Sequence, residues 1–125
     1  MPEVEPLNES ASIALAELVT EVLVDMKAEV IAQFPVSHLT SITDFMVIAS
    51  GRSDRHVKAI AGAVRERCAV AGCRALGVEG EESGEWILVD LGDVVVHVMI
   101  PRVREFYNLE KLWDMPSGPE ALPRV

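Results

Sequence analysis

The chain is short of several things at once. Only two of its 125 residues are cysteine, Cys68 and Cys73. Two thiols five positions apart, with no second pair and no histidine beside them, make a poor zinc site. They read as small apolar side chains in a reducing compartment. Aromatics number six: three Phe, two Trp and one Tyr. No apolar run approaches the roughly 18 residues needed to cross a bilayer. Bases are outnumbered, 11 against 20 acids, for a formal charge of −9. That balance argues against a domain that mainly grips nucleic-acid backbone. The opening MPEVEPLNES lacks the patterns of a secretory signal or a transit peptide, so a cytoplasmic location is expected.

Half of the residues are apolar and a quarter charged, the composition of a soluble globular protein with a single core. The charge is segregated. Residues 1–29 hold seven acids and one base. Residues 79–93 hold six acids (Glu79, Glu81, Glu82, Glu85, Asp90, Asp93) and no base. Between them, residues 51–75 carry Arg52, Arg55, Lys58, Arg65, Arg67 and Arg74 against Asp54 and Glu66. An acidic block of this kind either keeps a loop solvated or attracts a basic protein.

Periodicity lays out the elements. Residues 1–9 hold two prolines and three glutamates and read as a flexible lead-in. Ile13, Leu15, Ala16, Leu18, Val19, Val22, Leu23 and Met26 make an apolar stripe that predicts a helix over about 10–29. Val30–Val36 is a short strand candidate that Pro35 either confines to an edge or ends early. Asp44–Ala49 is a stronger strand, closed by Ser50-Gly51. Ser53 is a natural N-cap for a second helix to about Ala71, with Val57, Ile60, Ala61, Val64 and Cys68 on its buried face and Gly72 as its stop. Cys73–Val78 is a third strand candidate.

The chain is organised around Glu85–Trp113. Trp86–Val89 and Val94–Ile100 are short runs rich in branched residues, separated by Asp90-Leu91-Gly92-Asp93, and predict a β-hairpin with Gly92 supplying a positive φ. The second run is almost wholly apolar, as in a central strand covered on both faces. Pro101 ends it, Arg102–Tyr107 can form a helical turn, and Asn108 is placed to cap a last helix carrying Leu109, Leu112 and Trp113. The expected fold class is α/β. It is a single-domain sandwich over residues 10–114, with a mixed sheet of about five strands flanked by helices. Pro116, Pro119 and Pro123 mark residues 115–125 as a tail.

Chemistry has few footholds. Ser50-Gly51-Arg52-Ser53 between strand and helix could cradle a phosphate. It is not followed by a metal-binding carboxylate pair, since no Asp-x-Asp or Asp-x-Glu occurs anywhere. His97 stands alone on its strand, with no nucleophile at a telling spacing, and His38 and His56 lie in other elements. Neither catalysis, nor a metal, nor a cofactor is expected. Trp86, Tyr107 and Trp113, on the hairpin and the segment after it, are half of the aromatics, and Trp86 stands beside Glu85 and the acidic loop. Each either closes the core or anchors an interface. Arg55, Lys58, Arg65 and Arg67 leave a minor RNA contact open.

The residues Glu79-Gly80, Glu85-Trp86, Leu88, Asp90, Gly92-Asp93, Val96-His97, Pro101, Arg104-Glu105, Tyr107, Leu109-Glu110 and Leu112-Trp113 stand at the spacing of a known family. Upstream, Lys27-Ala28-Glu29, Ser41, Thr43-Asp44-Phe45, Val47–Gly51, Ser53 and Val57 extend the likeness. The chain resembles the Iojap family of bacterial and organellar ribosomal silencing factors. The resemblance implies a nucleotidyltransferase-like fold without enzymatic activity. It also implies binding to the large ribosomal subunit through ribosomal protein fourteen, a steric block to subunit joining when nutrients are scarce, a link to large-subunit assembly, and a homodimer when free. The partner-binding residues it implies are Glu79, Trp86, Leu88, Asp90, Leu91, His97, Met99, Arg104, Tyr107, Glu110 and Trp113. Two positions depart from the family pattern: Pro35 stands where Asp is common, and Leu91 where an aromatic is frequent.

Overall fold

The apolar run Val94–Met99 lies third among five strands, paired on both sides along its length. The computed structural model describes the backbone of residues 4–114 and the side chains of residues 10–111. Its elements are α1 (Val4–Asp25), β1 (Glu29–Pro35), β2 (Phe45–Ser50), α2 (Asp54–Val70), β3 (Gly77–Glu79), β4 (Trp86–Asp90), β5 (Val94–Met99), α3 (Pro101–Tyr107) and α4 (Leu109–Asp114). The sheet order is β1-β2-β5-β4-β3. Only β2 and β5 run parallel, and the other three pairings are antiparallel. The fold is thus the expected α/β domain with a mixed five-stranded sheet.

Strand alternation divides the core in two. On one face Val47, Ala49, Ile87, Val89, Val94, Val96 and Val98 meet Ala16, Val19, Val22 and Leu23 of α1 and Val57, Ile60, Ala61, Val64 and Cys68 of α2. On the other face Met46, Ile48 and Met99 pack with Val36 and with Val103 of α3. Both long helices lie on the first face, so among the described residues the second is covered by the short C-terminal helices and the chain around Val36.

Local signals explain most boundaries. Ser53 Oγ accepts the His56 backbone N–H at 3.1 Å, so it is the cap the sequence suggests. Gly51 must be glycine because a Cβ there would lie 2.8 Å from Val57 Cγ2. The hairpin turns through Gly92 at φ 90°, whose N–H donates to Asp90 Oδ1 at 2.9 Å.

Three expectations need correcting. α1 runs from Val4 to Asp25 rather than over 10–29, because Lys27 turns into the left-handed region at φ 62° and breaks the helix. The third strand is Gly77–Glu79, so it keeps only Gly77 and Val78 of the six residues expected, and a very short edge strand exposes little unpaired backbone. Asn108 closes α3 instead of capping the last helix: it is left-handed at φ 50°, and its N–H donates to the Arg104 carbonyl at 2.8 Å. The predicted tail, 115–125, lies outside the described residues.

Candidate functional site

The register of β3, β4, β5 and β2 sets most of the sequence-predicted site residues on the second face in rows. Glu79 pairs with Leu88, Leu88 with His97, and His97 with Ile48. In one neighbouring row Trp86 pairs with Met99 and Met99 with Ser50. In the other, Asp90 pairs with Val95. Glu79 is exposed, whereas Trp86, Leu88 and Asp90 are half-buried. The rows run from a buried centre at β2 and β5 to an acidic, accessible edge at β3 and β4.

Trp86 is the pivot. Its indole N–H donates to His97 Nδ1 at 2.9 Å. Its ring stacks obliquely on Tyr107, with centroids 4.9 Å apart and planes at 48°, a favoured arrangement for aromatic pairs. Upstream, Gly80 sits at φ 90°, and a Cβ there would fall 2.0 Å from the Trp86 carbonyl oxygen. Only glycine lets the acidic loop approach so closely. His97 is 6% exposed, and burial pushes its pKa down to about 4, so the ring is neutral near pH 7.

Arg104 anchors α3 beneath this surface. It is buried, and its guanidinium grips Glu110 through both carboxylate oxygens, at 3.0 and 2.7 Å. It also donates to the Val30 carbonyl at 2.6 Å and to Ser50 Oγ at 2.9 Å. The pairing holds the Glu110 carboxyl below its usual range. Val30 is itself unusual, a β-branched residue at φ 48°, a conformation such side chains adopt only under constraint.

Beyond Trp86 and Tyr107 the surface opens into a cleft of about 740 Å³ walled by Arg102, Glu105 and Phe106. Phe106 is 78% exposed and meets Tyr107 edge-on at 4.9 Å. It was absent from the predicted set, although two adjacent aromatics on a seven-residue helix cannot both face inward. Glu85 pairs with Arg102 at 3.3 Å, an exposed contact worth little.

Two predicted residues are not on this surface. Leu91 is 5% exposed and packs among the helices on the opposite face, because the turn puts it in the same alternation as Ile87 and Val89. Met99 shares the second face but is fully buried against Val36, Ile48 and Val103, so it supports the surface from below. The Arg104 and Glu110 side chains are likewise engaged with each other. Trp113 lies on α4, outside the side chains described.

The Ser50–Ser53 corner is not free to cradle a phosphate. The Gly51 N–H is held by the Met99 carbonyl at 3.0 Å and the Arg52 N–H by His56 Nδ1 at 2.9 Å. Two of the basic residues considered for RNA are also engaged: Arg65 with Glu81 at 3.3 Å, and Arg67 with Asp25 at 2.7 Å. Arg55 and Lys58 are exposed and make no ion pair among the described residues. Among those residues no group of His, Cys, Asp and Glu could hold a metal ion, and no helix is long and apolar enough to cross a membrane.

Comparison with known proteins brings the same stretch of chain into view. Residues 9–124 match the family described as "Ribosomal silencing factor during starvation". The chain is 48% identical over 99 residues to the ribosomal silencing factor RsfS of Chromobacterium violaceum, across 79% of this chain and 81% of that protein. It is 44% identical over 101 residues to the Haemophilus influenzae RsfS, across 81% and 99% of the two chains. Its fold superposes on a crystal structure of a Chromobacterium violaceum protein with a TM-score of 0.80 at 46% identity, covering 85% of this chain and 90% of that one.

Proposed function

The chain belongs to the family of ribosomal silencing factors, and we propose that it binds ribosomal protein fourteen of the large subunit with the second face of its sheet. The family consists of ribosome-binding regulators of translation, not enzymes. A bound protein on the joining surface of the large subunit excludes the small subunit by volume alone, so silencing needs no chemistry. It needs a rigid surface and an affinity for something basic. The observation that carries this reading is the in-register alignment of Glu79, Leu88 and His97 beside Trp86 and Asp90, on the face that the long helices leave uncovered. Carboxylates at its rim favour a cationic partner. A half-buried Trp86 with the exposed Tyr107 against it supplies the kind of aromatic that usually anchors such contacts.

The purified protein is expected to co-sediment with isolated large subunits, not with small ones, and to lower the yield of joined ribosomes in the same gradient. Binding without loss of joining would favour a role in large-subunit assembly. No binding would overturn the proposal. Trp86→Ala is expected to weaken subunit binding by at least about tenfold, as for a central interface aromatic, while the domain stays folded. Unfolding of that variant would instead make Trp86 a core residue.

Two finer features belong to the same reading. Arg55 and Lys58 offer a minor contact to rRNA beside the protein partner. Off the ribosome, the exposed apolar surface at Phe106 and Tyr107 suits self-association, and the free chain is expected to sediment as a homodimer.

A further inference from the structure

The buried His97 ring has two nitrogens, and the fold uses one. Nδ1 accepts the Trp86 indole N–H at 2.9 Å, and a neutral imidazole that accepts at Nδ1 carries its proton on Nε2. No partner for Nε2 is found among the described residues. Within that set, every side-chain nitrogen or oxygen sealed from solvent is hydrogen-bonded, so Nε2 must reach the surface. It does so from a ring only 6% exposed. Its neighbours across the sheet are Ile48 and Leu88, and those along β5 on the same face are Val95 and Met99. Ile48 and Met99 are fully buried and Leu88 and Val95 half-buried, so the donor opens beside a small apolar patch made of Leu88 and Val95.

We propose that the Nε2–H of His97 is a specificity donor of this face, taking a backbone carbonyl of the basic large-subunit protein that docks there. This rests on the ribosome-binding reading above. Docking strips water from the patch, and a donor left unpaired in an apolar contact is penalised more than a formed bond is rewarded. A partner with an acceptor at that point is therefore selected over one without it. The acceptor is a neutral carbonyl, not a carboxylate, because Glu79, one strand beyond Leu88 in the same row, and Asp90, opposite Val95, would repel a second anion. Through Nδ1 the same ring holds the Trp86 indole in place, so positioning and recognition share one side chain.

The two nitrogens can be separated by substitution. In His97→Asn the amide oxygen can replace Nδ1 as acceptor for Trp86, while nothing reaches the position of Nε2. In His97→Gln the longer amide can place an N–H near Nε2, and His97→Leu removes both groups. Binding to isolated large subunits is measured by co-sedimentation across a concentration series, with tryptophan emission and the thermal midpoint read on each free variant. His97→Asn is expected to keep the emission of the parent and to bind about three- to tenfold more weakly. Undiminished affinity in that variant would overturn the proposal while leaving ribosome binding intact. Should His97→Asn fail to fold, the other two decide: tighter binding by His97→Gln than by His97→Leu supports the donor, and equal binding overturns it. Failure of the parent protein to bind large subunits would overturn this inference together with the function it rests on.

Discussion

The two faces of the sheet are built from the same strands by different rules. Along β5, Val94, Val96 and Val98 meet the helices in a wholly apolar layer. Val95, His97 and Met99 alternate with them and meet a layer interrupted by a ring nitrogen, a guanidinium and a serine hydroxyl. On the helix side even the one buried thiol, Cys68, is pushed up to about 11 by burial, so it stays protonated and packs as an apolar group. On the other side the polar atoms are held by specific geometry. A dry layer tolerates any apolar group of the right volume, whereas a hydrogen-bonded layer specifies particular residues. The first face makes the fold stable; the second gives it something to present.

Substitutions on the two faces should therefore fail differently. Ile60→Ala, at a fully buried position of α2, should cost about 2–5 kcal/mol of stability by lost transfer energy and a residual cavity. Its binding per folded molecule should not change, and chemical denaturation alongside co-sedimentation checks both. An Ile60→Ala protein that folds normally but no longer binds would erase the distinction between faces. Arg104→Ala should cost about 3 kcal/mol, because it leaves Glu110 and the Val30 carbonyl without their buried partner. Arg104→Lys should recover little of that loss, since an ammonium cannot span the forked contact. Full recovery by lysine would reduce the contact to simple charge pairing.

Acid provides a gentler probe of the second face. The folded protein accommodates His97 as the neutral ring, with a pKa of about 4 against an ordinary 6.5. Between those values the unfolded chain binds a proton that the folded chain does not. The contribution is complete above pH 6.5, declines as pH falls, and is exhausted below about pH 4, where the folded ring protonates too. The loss amounts to roughly 3 kcal/mol on the scale of 1.36 kcal/mol per pKa unit. Glu110, held below its usual range by Arg104, adds a loss of the same sign at lower pH. Thermal midpoints at stepped pH should show a slope between 6.5 and 4 that His97→Gln flattens. An unchanged slope in the variant would assign it to other groups.

Much of this was legible in the chain. The hairpin, the Ser53 cap, the edge position of β1 and the central position of β5 follow from local rules: turn chemistry, capping and apolar runs. The shared face of Trp86, Leu88 and Asp90 was legible because period-two alternation puts them together. The same rule sends Leu91 to the other side, since it takes the alternation of Ile87 and Val89 through the turn. Met99 was misplaced because a central strand's second face is buried at one end and open at the other, and only packing decides which. Arg104 reads in sequence as a surface charge. Its burial depends on Val30, 74 positions away, and on a strained backbone there that no local signal marks. Asn108 shows the converse, a residue equally suited to begin one helix or end another, whose choice depends on where α3 stops.

The smallest expected effect on stability tests the function most directly. Glu79 is exposed and Asp90 half-buried at the open edge of the second face, and neither makes an ion pair among the described residues. Reversing an exposed charge of this kind changes stability by less than about 0.5 kcal/mol. It does change the field a partner meets on approach, and steering by that field acts on the association rate. Glu79→Lys should therefore bind large subunits more slowly with dissociation nearly unaltered. The deficit should shrink as salt is raised, because about 0.15 M ionic strength screens charges beyond roughly 8 Å. Asp90→Lys should slow association in the same way but with some added loss of stability, since its carboxylate also accepts the Gly92 N–H at the hairpin turn. Stopped-flow association at low and at physiological salt separates these effects. A Glu79→Lys protein that associates at the parental rate in low salt would remove steering from the account, leaving recognition to the contacts made by the surface around Trp86 and His97.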